Sequence, residues 1–142
     1  MYQKDFILRM IEMLGELIAG ILGFIRKGEF PKASKALENA YYDFLKEDAA
    51  FFRKIPKEKL TDELIGEHNY TNGHLEILAE LFYTEAELLY AEQKHADSKV
   101  FYEKALLLFE FIETETETYS LDKKTKMATI QDRILELKAN EV

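Results

Sequence analysis

The sequence predicts an all-α protein built from two antiparallel helical hairpins, a short helical insert between them and a C-terminal capping helix, folded as one domain over residues 1–142. Two observations carry this prediction. Apolar residues recur at helical spacing through every long segment, and the hairpin pattern in the first third of the chain returns later. Superposing the two copies pairs Ala33 with Ser98, Leu37 with Tyr102, Ala40 with Ala105 and Phe44 with Phe109, and, in the preceding helices, Leu17 with Phe82 and Phe24 with Leu89.

The first helix is predicted over residues 3–27. Its apolar residues, from Phe6 to Ile25, sweep about half of the circumference, well above the ~100° stripe of a helix that covers one side of a core. Asp5, Arg9, Glu12, Glu16 and Lys27 share a narrow polar stripe, which Gly20 and Gly23 fill. The uncharged run Leu17 to Ile25 falls far short of the ~20 residues of a membrane span. Glu12 and Glu16 also interrupt what would be the apolar part of a signal peptide. Such a wide arc must be covered from at least two sides, by other helices of the chain or by a second copy. Intramolecular cover is the expectation.

Gly28 suits the left-handed position that ends this helix, and Pro31 suits the first turn of the next, predicted over 31–47. Ala33, Ala36, Leu37, Ala40, Tyr41 and Phe44 share one face, and the three alanines let the two backbones approach. Lys35, Glu38, Asn39, Asp43 and Lys46 face water. Tyr42 falls on that polar side and is a candidate contact residue. Residues 48–70 are too apolar for a linker: one or two short helices are expected there, with Pro56 stopping one and Thr61 capping another from Asp62.

Thr71 and Asn72 start a long helix over 72–93 with two apolar sides, so it is sandwiched, and its Glu76, Glu80 and Glu87 are left for solvent. A helix over 96–116 follows, with a second apolar stripe at Val100, Leu107 and Phe111 that is expected to stay open as an interaction surface. The acidic, β-branched "IETETETYS" frays its end, and Ser120 caps a last helix over 121–139. Met127, Ile130, Ile134 and Leu137 form its buried face. Lys123, Lys124, Lys126 and Arg133 give it the polar outer side of a terminal cap.

At these residues the chain resembles tetratricopeptide repeats. Phe82, Ala86, Leu89, Ser98, Tyr102 and Ala105 match that hairpin unit in order and spacing, and Phe30, Ala33, Leu37 and Ala40 match it more loosely. Glu85 stands where a leucine is usual, Ile21 where a small residue is usual, and Glu110 where a proline closes the unit. The opening "QKDFILRMIEMLGELIAGIL", with a hairpin at each end, is similar to a family of small uncharacterised bacterial proteins, and that likeness implies no activity. The repeat resemblance implies a protein that presents a surface to a partner.

Composition narrows the chemistry. The formal charge of −8 argues against nucleic-acid partners and anionic membrane surfaces. The chain has no cysteine, which removes thiolate metal sites and cysteine nucleophiles and fits a cytoplasmic location. Gly15 and Gly20 have the spacing of a phosphate loop, but no Lys-Ser or Lys-Thr follows and the segment is helical. Glu92 and His95 give a single Glu-x-x-His, where a di-iron bundle needs two. His68 and His74 lack a third ligand and read better as surface or capping histidines. No cofactor is expected.

Three readings remain. The leading one is a non-catalytic interaction module that binds a protein or peptide in the groove between hairpins. The second is a self-associating protein whose first helix pairs two copies. The third is an enzyme or small-ligand binder using carboxylates; a buried cluster of glutamates with a shifted pKa in a deep pocket would favour it, and an apolar groove or a two-fold interface would favour the others.

Overall fold

The computed structural model describes residues 2–116 and 121–140, and among these the chain is helical, with no strand. Six α-helices follow one another: α1 (Tyr2–Arg26), α2 (Phe30–Leu45), α3 (Ala49–Arg53), α4 (Asn72–Ala91), α5 (His95–Thr116) and α6 (Leu121–Ala139). Between α3 and α4 lie a 3₁₀ turn, Lys57–Lys59, and a wide π-type turn, Asp62–Glu67. The expected capping residue Ser120 and the end of the acidic stretch lie outside the described residues. The rest of that stretch does not fray before Thr116.

Both hairpins close in the same way. Gly28 takes a left-handed φ of 76°, its N–H donates to the Ile25 carbonyl at 3.0 Å, and the Glu29 N–H reaches back to Phe24 at 2.9 Å. In the second hairpin Gln93 has φ 67°, its N–H donates to Tyr90 at 3.0 Å, and the Lys94 N–H reaches Leu89 at 2.9 Å. This double bond pattern satisfies the last free carbonyls of a helix. The second copy builds it with a side chain that dislikes the conformation.

Caps set the remaining boundaries. Asp48 Oδ1 accepts the Phe51 N–H at 3.0 Å and starts α3. Thr71 Oγ1 accepts the His74 N–H at 3.3 Å, while His74 Nδ1 accepts the Thr71 N–H at 3.1 Å, so a histidine fills the place that glutamate or glutamine usually takes in a capping box. Thr61 corrects an expectation. Its own backbone is already helical (φ −68°, ψ −42°) and its side chain makes no cap.

Helices α1, α4 and α6 run in one direction, and α2 and α5 run back. The direction of α1 relative to α4 shows where Ile7 abuts Gly73, so closely that a Cβ on Gly73 would lie 2.2 Å from Ile7 Cγ2. Ion pairs from Lys123 to Glu76 and from Lys126 to Glu80 show that α6 runs with α4. Helix α4 packs against α1, α2 and α5, as its two apolar sides predict, and α6 packs on α5. The core gathers Leu14, Ile18 and Ile21 of α1, Leu37 and Tyr41 of α2, Phe52, Leu75, Leu78 and Phe82, and Tyr102, Leu108 and Phe109 of α5.

Two expectations about surfaces are corrected. Glu76, Glu80 and Glu87 do not face solvent, and Lys123, Lys126 and Arg133 do not form an outer side, because the two rows face each other across the α4–α6 boundary. Nor does the chain cover all of α1. The large apolar residues of its C-terminal half are buried or half-buried, while Phe6, Leu8 and Met13 remain exposed.

Candidate functional site

The parallel helices α1, α4 and α6 enclose a cleft of about 320 Å³. Helix α1 gives it an apolar wall of Ile11, Leu14 and Ile18, with Gly15 between them. A Cβ built on Gly15 would meet nothing within 4 Å, so the missing side chain is itself part of the opening. The other wall is charged. Lys123 Nζ donates to Glu76 Oε1 at 2.7 Å, and Lys126 Nζ donates to Glu80 Oε1 at 2.5 Å.

Further along the same boundary, Arg133 donates to the Tyr102 hydroxyl at 3.1 Å and stands 3.8 Å from Glu87 Oε2, which also accepts from Tyr102. The Arg133 guanidinium lies 3.7 Å from the centre of the Tyr90 ring, and Tyr90 donates to Glu136. Lys126 stands over the rings of Tyr83 and Phe109. Burial, reinforced by Glu87, pushes Tyr83 up to about 12 and Tyr102 still further, so both hydroxyls stay protonated donors. These tyrosines are held in place by charges on α4 and α6.

A second polar cluster sits within the core. Glu85 Oε1 accepts from the Tyr41 hydroxyl at 3.0 Å and from Arg53 Nε and Nη2 at 3.1 and 3.0 Å, while Arg53 Nη1 reaches Glu38 at 2.5 Å. Burial raises the Glu85 pKa, and Arg53 and Tyr41 oppose that rise. Lys104 is buried beside the cluster, its Nζ donating to the Arg53 carbonyl at 3.0 Å and lying over Phe82 and Phe101. Glu85 is thus a single buried carboxylate with a raised pKa, not a cluster of them; it does not line the cleft, and its described partners are Tyr41 and Arg53.

The sequence-predicted contact residues are not brought together. Tyr42 is exposed on α2, and Val100 is exposed on α5, whereas Leu107 and Phe111 are half-buried against the core. The stripe expected to stay open is open at Val100 and partly covered at Leu107 and Phe111. His74 is occupied as a cap, and among the described residues no three His, Asp or Glu side chains are grouped to hold a metal ion. No described helix is long and apolar enough to cross a membrane.

The cleft residues had a sequence signal that apolar periodicity does not register. Acidic residues at 76, 80 and 87 and basic residues at 123, 126 and 133 have nearly equal spacing and opposite sign, which is the pattern of two helices in parallel register. No protein-family model matches the chain, and no curated protein or solved structure matches it.

Proposed function

We propose that the protein is a non-catalytic interaction module that binds a segment of a partner protein in the cleft between α1, α4 and α6. One observation carries this reading: an apolar wall of Ile11, Leu14 and Ile18 faces a wall of exchangeable ion pairs, Glu76–Lys123 and Glu80–Lys126. An apolar side chain of the partner fills the space over Gly15. Charged residues of the partner beside it take the place of one member of a Lys–Glu pair, so that the carboxylates, 18% and 17% exposed, keep a counter-charge.

The tetratricopeptide resemblance supports the same reading. It makes α1 and α4 the first helices of two stacked units, and stacked hairpins present concave surfaces to partners. The lysines and glutamates of the cleft are ion-paired with one another, an arrangement that suits recognition better than catalysis.

Gly15→Leu is the test. The substitution fills the cleft where a side chain meets nothing, and leucine favours the helix over glycine by roughly 1 kcal/mol, so the fold should keep or gain stability. Linear peptides selected from a displayed library on the wild type should carry an apolar anchor flanked by charges. They should lose at least tenfold in affinity for Gly15→Leu. Equal affinity of the selected peptides for both proteins would place the binding surface elsewhere.

A further inference from the structure

We infer that α1 carries a second helical seam, and that this seam pairs antiparallel with α1 of a second copy of the chain. Ile7, Ile11, Leu14, Ile18, Ile21 and Ile25 are spaced alternately by four and three residues, and this seam turns into the fold. Phe6, Met10, Met13, Leu17, Gly20 and Phe24 repeat the same spacing one residue earlier. Alternating four and three is the spacing of a coiled-coil interface.

The structure leaves this second seam open along its N-terminal half. Phe6 is 57% exposed and Met13 56%, while Met10 and Leu17 are half-buried. Further along, Gly20 has no side chain to cover, and Phe24 lies against α2 with Lys32 Nζ 5.9 Å from its ring centre. The open residues of the seam are thus Phe6 and Met13, with Met10 and Leu17, packed partly against the core, beside them. The seam lies on the flank of α1 opposite Gly15, so a copy docked here leaves the peptide cleft free.

Charge selects the occupant and its direction. Arg9 and Glu16 are exposed, lie seven residues apart along the outer edge of this seam and carry opposite signs. In a parallel pair that edge would face the opposite edge of the second helix, which here is the row of half-buried Ile7 and buried Leu14 and Ile21. In an antiparallel pair the edge faces its own copy, and each Arg9 meets the partner's Glu16 in a two-fold symmetric arrangement. The layers are then Phe6 on the partner's Leu17 and Met10 on the partner's Met13. Sliding by one heptad would set Glu16 against the partner's Glu16. The register that pairs the charges is the one that covers exposed Phe6 and Met13 together with half-buried Met10 and Leu17.

Light scattering on the eluting protein should give twice the 16.6 kDa of one chain. Because the chain has no cysteine, single replacements report the geometry. Met13→Cys should crosslink to its own copy on oxidation. Phe6→Cys should not, since the two copies of residue 6 are separated by eleven residue steps, about 16 Å along the helix. Arg9→Glu and Glu16→Arg should each weaken dimerisation about tenfold or more, and the double exchange should restore it, all with unchanged helicity by circular dichroism. A wild-type monomer at the highest soluble concentration, efficient crosslinking through Phe6→Cys, or a double exchange no better than the single ones would each overturn the inference.

Discussion

Arg53→Met tests how the core tolerates Glu85. Three donors converge on Glu85 Oε1, and two of them belong to Arg53. Methionine keeps an aliphatic stem and removes the guanidinium, whose carbon lies 5.6 Å from the centre of the Tyr41 ring. The Glu85 side chain, only 8% exposed, is then left as a buried carboxylate with the Tyr41 hydroxyl as its remaining described donor. Removing one partner of a buried ion pair costs about 3–5 kcal/mol. Arg53 is itself 31% exposed, so water replaces part of what it supplied, and the lower end of that range, about 3 kcal/mol, is expected at neutral pH.

The pH dependence separates this cause from lost packing. Burial already holds the Glu85 pKa above its usual value in the wild type, and without Arg53 it rises further. A carboxyl with a raised folded-state pKa favours folding fully below its unfolded value, and that contribution is lost as pH rises through the folded value. The cost of Arg53→Met should therefore shrink as pH falls from 7 toward about 4.5, because the folded variant takes up a proton there. Urea titrations of wild type and variant at several pH values measure it. A difference below about 1 kcal/mol at pH 7, or one that does not change with pH, would refute the assignment. Replacing Tyr41, Arg53 and Glu85 together by Phe, Leu and Leu should cost much less than Arg53→Met alone, since an apolar cluster of similar volume substitutes well for a buried ion pair.

Gln93→Gly should raise stability by about 1 kcal/mol, because Gln93 holds a left-handed φ of 67° that glycine adopts without strain; calorimetry should show a melting temperature higher by roughly 3 °C, while Gly28→Gln should do the reverse. His74 should titrate below its ordinary value, since burial lowers its pKa and its Nδ1 accepts the Thr71 N–H only when unprotonated. A base with a lowered folded-state pKa supports the fold above its unfolded value of about 6.5, and that support is lost as pH falls through the folded value. His74→Gln, which can cap without titrating, should flatten the fall in stability between about pH 6.5 and 5; an NMR titration placing His74 above 6.5 would contradict this.

The apolar arithmetic of the sequence was legible almost throughout. Helix existence, the sandwiched position of α4, the Gly28 turn, the Pro56 stop and the Thr71 start all follow from side chains whose local preferences agree with the fold. The histidine reading also followed, since a capping His74 needs only its spacing from Thr71. Glu85 was visible as a departure from the leucine of similar hairpins. Its partners were not, because Tyr41 and Arg53 come from helices whose packing around α4 no periodicity reports.

Charged faces were the part that periodicity misassigned, and the reason is physical. A helix face of like charges has low apolar content whether it meets water or a face of opposite sign. The pattern alone therefore cannot distinguish the solvent side of α4 from an ionic boundary with α6. Spacing can: acidic residues at 76, 80 and 87 find basic residues at 123, 126 and 133 only if the helices run parallel. Parallel helices in this order require an intervening return helix, and α5 supplies it. The same logic extends to α1, whose apolar arc is wider than α2 and α4 can enclose. The excess lies on two sides of the helix: Leu8 is exposed on one, and Phe6 and Met13, with half-buried Met10 and Leu17 beside them, on the other, next to a pair of opposite charges one heptad apart, which is the composition that the proposed pairing of two copies would use.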